Sequence, residues 1–301
     1  MLVTNKNLES LRVGFKTLFQ NAFDVAPSQY ERVATVVPST RGEEKYGWMG
    51  QIPMVREWFG DRVVQNLMEH DYAIKNKDFE LTLGVNRNHI EDDSLGIYNP
   101  LFQEMGRATK AHPDLLTFSL LKDGFSTACY DGQYFFDTDH PVLDADGKET
   151  SVANTDGGAG QPWFLLDVSR ALKPVIFQKR KDFEFVARDQ LTDENVFSKK
   201  EFQYGVDARN NVGLGLWQFA WGSKQALTSA YYKAARTGLM GMKGDYGRPL
   251  GLLSGGVKPL LVVGPSNESA GLKLLNSENA AGGETNEWKG TAELLVVPWL
   301  A

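Results

Sequence analysis

Two groupings in the 301-residue chain have side chains that could carry catalysis. Asp137-Thr138-Asp139-His140 sets two carboxylates beside an imidazole, the donor set of a metal-dependent hydrolase. No second ligand cluster completes a coordination sphere. The tetrapeptide follows Tyr134-Phe135-Phe136 and precedes Pro141, so a polar turn behind a strand is the preferred reading. Cys129 with His140 could form a thiolate–imidazole nucleophile, but a lone cysteine is most often a small buried hydrophobe. Asp144-Ala145-Asp146-Gly147 resembles part of a calcium loop. With Gly147 at its glycine position, the first and last ligands would be Val142 and Ala153, which cannot serve, so a turn is expected. Gly213 and Gly215 lack the third glycine of a dinucleotide fingerprint. Lys179-Arg180-Lys181 reads as a solvated turn between strands. No catalytic residue, metal or cofactor is therefore expected.

Composition narrows the class further. The net charge is −6, so a reader of nucleic-acid phosphates is disfavoured. One cysteine excludes an internal disulfide and a multi-cysteine zinc site, and His70, His89, His112 and His140 form no HExxH pair. The 34 aromatic residues (7 Trp, 10 Tyr, 17 Phe) argue against disorder. The first seven residues lack a signal-peptide core, and the apolar runs 260–263 and 294–297 are far too short to span a membrane. Folding in a reducing cytoplasm is the expectation.

Periodicity places the elements. A helix is expected over 5–22, leading into an irregular arm with Pro27, Pro38 and Gly42. Another is expected over 54–70. Strands over 72–75 and 79–85, joined by Asn76-Lys77-Asp78, read as a hairpin. Phe79, Leu81, Leu83 and Val85 make its apolar stripe. A two-stranded ribbon is marginal alone, so a neighbouring subunit is the expected cover. Arg56, Glu57, Asp92 and Asp93 flank it as candidate charged contacts.

Asn99-Pro100 opens a helix over 99–123 that Gly124 ends and Pro113 kinks or splits. Strands are expected at 134–136, 163–168, 175–178, 183–187, 202–206 and 212–220. In the last, Gly213 and Gly215 mark close approach by a neighbour. Helices from Thr228 to 242 and from Ser266 to 275, with strands at 260–263 and 293–297, complete an α+β chain without internal repeats or a clear linker.

Short segments along the whole chain carry a resemblance. They include Ala26-Pro27-Ser28-Gln29-Tyr30, Tyr46-Gly47-Trp48 and Arg56-Glu57-Trp58, then Glu91-Asp92-Asp93 with Leu95-Gly96-Ile97-Tyr98. Further on are Phe102-Gln103-Glu104-Met105-Gly106-Arg107, Leu120-Leu121-Lys122-Asp123-Gly124-Phe125 and Cys129-Tyr130-Asp131-Gly132-Gln133. The last are Gly247-Arg248-Pro249-Leu250, Leu261-Val262-Val263-Gly264-Pro265 and Trp299-Leu300-Ala301. In this order they resemble the major head proteins of phage Mu and Mu-like prophages. The block 163–221 intervenes as it does in that branch.

The resemblance implies the tailed-phage major capsid fold: N-terminal arm (1–45), extended β-hairpin loop (46–95), and a remainder (96–301) holding the spine helix with peripheral and axial subdomains. It implies self-assembly into pentamers and hexamers that form an icosahedral head around double-stranded DNA, bound without sequence specificity. It further implies a scaffold, a head-maturation protease and a portal as partners, no membrane, and a virion location after assembly in the host cytoplasm. The candidate inter-subunit contacts are Arg56, Glu57, Phe79, Leu81, Leu83, Asp92 and Asp93. The competing readings are the metal-dependent hydrolase on Asp137, Asp139 and His140, and a monomeric binding module with an exposed hairpin.

Overall fold

A computed structural model describes residues 2–47, 72–92, 95–280 and 282–301. The chain opens with helix α1 (Asn5–Val25), capped by Thr4, and a short α2 (Tyr30–Val33). Strands β1 (Ala34–Pro38), β2 (Glu43–Lys45), β3 (Ala73–Lys75) and β4 (Lys77–Asn86) follow, then α3 (Arg87–Glu91). Helix α4 runs unbroken over Asn99–Asp123 and ends at Gly124, so it has the expected bounds. Pro113 lies inside α4 without splitting it. The residue removes one backbone hydrogen bond, but Thr109, Asp114, Thr117 and Phe118 around it are buried, and packing holds the helix together.

The remaining elements are β5 (His140–Leu143), β6 (Glu149–Val152), β7 (Thr155–Gly158), β8 (Trp163–Leu166), β9 (Val175–Arg188), α5 (Glu194–Lys199), β10 (Glu201–Leu214) and β11 (Ala220–Lys224). They continue with α6 (Ser229–Met240), a minimal ladder of β12 (Lys243–Gly244) and β13 (Arg248–Pro249), β14 (Leu260–Val263), α7 (Glu268–Asn276) and β15 (Glu293–Val296). No helix among the described residues is long and apolar enough to cross a membrane.

Two sheets organise the chain. One is five-stranded, in the order β15-β14-β8-β11-β7. Its β8 and β14 are buried at every position, and with α6, α7 and the end of α4 they form the larger core. The other is four-stranded, in the order β1-β9-β10-β4. Its inner face carries Phe202, Tyr204 and Val206 of β10 and Val85 of β4. This face packs on α1 and the first half of α4 through Leu8, Phe15, Phe19, Phe102 and Met105.

Three expectations need correction here. Strands 175–178 and 183–187 are one strand, β9, and Lys179-Arg180-Lys181 lies within it rather than in a turn. Cross-strand pairing explains how the basic triplet is tolerated: Lys181 Nζ reaches Asp207 Oδ2 at 2.6 Å on β10. Residues 134–136 form no strand, only an isolated bridge between Ala128 and Tyr134. Strands 202–206 and 212–220 also differ: β10 runs unbroken over Glu201–Leu214, and residues 217–219 form a tight helical turn instead of strand. Two observed features match the reading: a turn at Asp144–Gly147, with Gly147 at φ 78°, and close approach at Gly213, where a Cβ would sit 2.2 Å from Ile74 Cδ1.

Asp114, which the sequence reading overlooked, fixes the root of α1. Buried in α4, it accepts hydrogen bonds from Ser28 Oγ (2.8 Å), Gln29 N (2.9 Å) and Tyr30 N (2.7 Å). A carboxylate on one helix thereby caps the start of another, and it neutralises donors that the first turn of α2 leaves open.

Candidate functional site

The catalytic reading can be tested first, residue by residue. The turn after α4 brings Cys129 and Asp131 against the first residue of β5, His140. Asp131 stands between the other two: His140 Nδ1 lies 2.7 Å from Asp131 Oδ2, and Cys129 donates to Asp131 Oδ1 at 3.0 Å. The backbone N–H of Gln133 adds a bond to Oδ1 at 3.1 Å. The His140 ring stacks on Trp217, with centroids 3.9 Å apart and planes 9° from parallel. Burial pushes the Asp131 carboxyl up, but the bonds from His140 and Cys129 outweigh it and leave the group below its usual range. Burial, with Asp131 beside it, pushes the Cys129 thiol far up. The sulfur is thus a protonated donor and no nucleophile.

Cys129, Asp131 and His140 are the one such trio of metal-ligand types among the described residues, their donor atoms all within 4.8 Å. The spacing is that of hydrogen bonds. Two ligands on a tetrahedral zinc at roughly 2.0–2.2 Å stand about 3.3 Å apart, wider than the 2.7 Å between Nδ1 and Oδ2. His140 is fully buried and its Nε2 has no partner, so the ring meets no solvent or substrate.

The alternative hydrolase constellation does not form either. Asp137 is occupied by the backbone, accepting from Tyr134 N and Thr138 N. Asp139 is exposed, and its carboxyl is raised because its protonated form can donate to the neighbouring Asp137 carboxylate. His140 turns to Asp131 instead. The cluster is a structural clasp that ties the turn after α4 to β5 and to Trp217.

The hairpin expected from 72–75 and 79–85 does not form. β3 and β4 do not pair with each other. β3 pairs with β2, Lys45 opposite Ala73, so this ladder closes the base of the 46–72 segment. β4 instead lies along β10 over ten residues, from Lys77–Asn210 to Asn86–Glu201. Its apolar stripe is covered from within. Val85 is fully buried, Leu81 and Leu83 pack on the core under α1 and α4, and the Phe79 ring meets His112 of α4 at 4.2 Å. The expectation of an uncovered stripe failed because α4 packs on both sheets, not mainly on one part of the chain.

Gln178, buried in β9, anchors the β2–β3 ladder. It accepts from Tyr46 Oη at 2.8 Å and donates to Ile74 O at 2.9 Å and Asn76 Oδ1 at 2.8 Å. Arg56, Glu57 and Asp93, and the helix expected over 54–70, lie outside the described residues. Asp92 is exposed at the end of α3.

Leu81→Ser with Leu83→Ser is therefore expected to weaken the subunit itself, by about 2 kcal/mol for two half-buried leucines. A urea-unfolding midpoint unchanged from wild type would show that the stripe is dispensable to the core.

With no catalytic centre assembled among the described residues, overall likeness decides which family the chain belongs to. The sequence profile described as Mu-like prophage major head subunit gpT matches residues 8–300. The chain belongs to this family. It is 43% identical over 310 residues to the major capsid protein of Escherichia phage Mu, covering 100% of both chains. It is 44% identical over 284 residues to the Mu-like prophage FluMu major head subunit of Haemophilus influenzae, covering 92% of this chain and 91% of that one. Among solved structures, the chain of the bacteriophage JBD30 procapsid covers 99% of it at 43% identity with a TM-score of 0.85, all of that chain being matched. The JBD30 capsid matches at 32% identity and a TM-score of 0.78, with both chains covered in full.

The fold is that of tailed-phage major capsid proteins. This Mu-like head subunit forms the icosahedral head with copies of itself and is a component of the virion. The family and its relatives are structural capsid proteins, not enzymes.

Proposed function

We propose that the head subunit assembles in the host cytoplasm as pentamers and hexamers, guided by a scaffold, a head-maturation protease and a portal, around double-stranded DNA. The observation that carries this reading is the full-length likeness to the JBD30 procapsid chain. The net charge of −6 suits a container, because a lining without a cationic excess lets packaged DNA move. The working division is an arm over 1–45, an extended loop over 46–95, and the remainder over 96–301. Arg56, Glu57, Asp92 and Asp93 are proposed as charged contacts of the loop with a neighbouring subunit. Covered apolar residues Phe79, Leu81 and Leu83 serve that contact only by shaping the ground beneath it.

The test is co-expression with the neighbouring head genes followed by electron microscopy. Closed particles containing five- and six-fold capsomers are expected. A subunit that stays monomeric in every combination would overturn the proposal.

A further inference from the structure

The β9–β10 ribbon runs from the larger core to an exposed far end. Each strand has 14 residues, so the pair extends roughly 46 Å. Val175 and Leu214, at one end, are sunk in the larger core. At the other end the connection folds into α5, and Phe197 on it is 88% exposed.

This exposure is not the slack of a loose loop. Val196 beside it is buried at 2% exposure in the second core. Asn195 donates from one amide to Arg188 O (3.3 Å) and Glu201 O (2.7 Å), and so clasps the last residue of β9 to the first of β10. Asp193 closes the entry turn by accepting from Gln190 N at 2.9 Å. Lys200 ends α5 in the left-handed conformation, at φ 53°. Four residues thus tie down the backbone of α5 while the Phe197 ring faces outward. Pre-setting an anchor in this way removes the ordering cost from association. Glu194, three residues before Phe197, and Lys199 and Lys200, two and three residues after it, are all exposed. An exposed aromatic on a segment carrying both charges suits a protein contact. It does not suit a nucleic-acid or anionic-lipid contact, which needs a single-sign basic face.

We propose that Phe197 is an assembly anchor, a preset aromatic knob that buries against a second copy of this chain in the shell. The inference rests on the shell reading. In a shell tiled by this chain, the end of a long ribbon that leaves the larger core lies beside other copies, and α5 stands at that end. Among the described residues the knob has no cover, whereas the β4 stripe does.

Full-length Phe197→Ser is the first probe, co-expressed as above. Its side chain is already solvated, so the thermal midpoint of the free subunit should match wild type. The concentration needed for particle formation should rise about tenfold or more, the loss of one anchor per contact. Phe197→Leu should recover most of it. The second probe replaces Phe197 with p-benzoylphenylalanine and irradiates the assembled particles; a covalent dimer of this chain is expected. Phe197→Ser particles forming at the wild-type concentration would overturn the anchor. So would a crosslink only to a different protein, or none. Wild-type protein that forms no particles would overturn the shell reading, and the anchor with it.

Discussion

His140→Ala should cost the subunit about 3 kcal/mol, because it leaves the buried Asp131 carboxylate without its main hydrogen-bond partner. The side chains of His140 and Asp131 are 0% and 7% exposed, and water cannot replace the missing bond. The ring also covers Trp217 face to face, so its removal leaves a void beside a large aromatic. The pH dependence separates these two contributions. In the wild type the Asp131 carboxyl is held below its unfolded value near 4. Its contribution is therefore full above that value and is lost as pH falls through the folded one. In His140→Ala the main bond that lowers the carboxyl is gone and burial remains, which pushes it up. That variant should gain stability as acid protonates the buried group. The difference between the two proteins, read from urea unfolding at pH 7 and again near pH 4, should shrink on acidification. A difference constant across that range would mean that the ring acts by packing alone and that the clasp to Asp131 contributes nothing.

The clasp also shows what was legible before the structure. Cys129 and His140 were recognisable as chemically able groups, and both are in the cluster. The residue that joins them, Asp131, was visible only inside a quoted motif, because nothing local says that a turn carboxylate will meet a strand nine residues later. The bounds of helix α4 were readable because Pro100 and Gly124 are local signals, although Tyr98 and not Asn99 holds the cap position. The partner of β4 was not. Alternation of Phe79, Leu81, Leu83 and Val85 specifies a half-buried strand but not which strand lies beside it, and β10 is more than a hundred residues away. Lys179-Arg180-Lys181 misled for a similar reason. Its charges read as solvent-facing turn, yet Asp182 and Asp207 supply carboxylates that let the run continue as strand. Phe197 gave no local signal at all: one phenylalanine among polar residues looks the same whether it is destined for a core or for a neighbour.

The second large effect concerns the arm. At Gly106, in the first half of α4, an added Cβ would lie 2.4 Å from Phe19 O and 2.9 Å from Phe23 N, with Ala22 Cβ at 3.1 Å. The first two are backbone atoms of α1, so no side-chain rotation relieves the clash. Only glycine lets the helices cross this closely, and the crossing seats Phe15 on Phe102 at 4.1 Å and Phe19 against Phe185 at 5.7 Å. Gly106→Val must lift α1 from its seat, at about 2–4 kcal/mol between overpacking and lost aromatic burial. Because Asp114 pins residues 28–30 independently, the strand that follows, β1, should stay paired with β9 while α1 alone loosens. Hydrogen exchange resolves this: amides of residues 5–25 should lose protection while those of β9 and β10 keep theirs. A variant whose α1 amides stay as protected as in wild type, with an unchanged unfolding midpoint, would show that α1 is held by its contact with the sheet rather than by the crossing at Gly106.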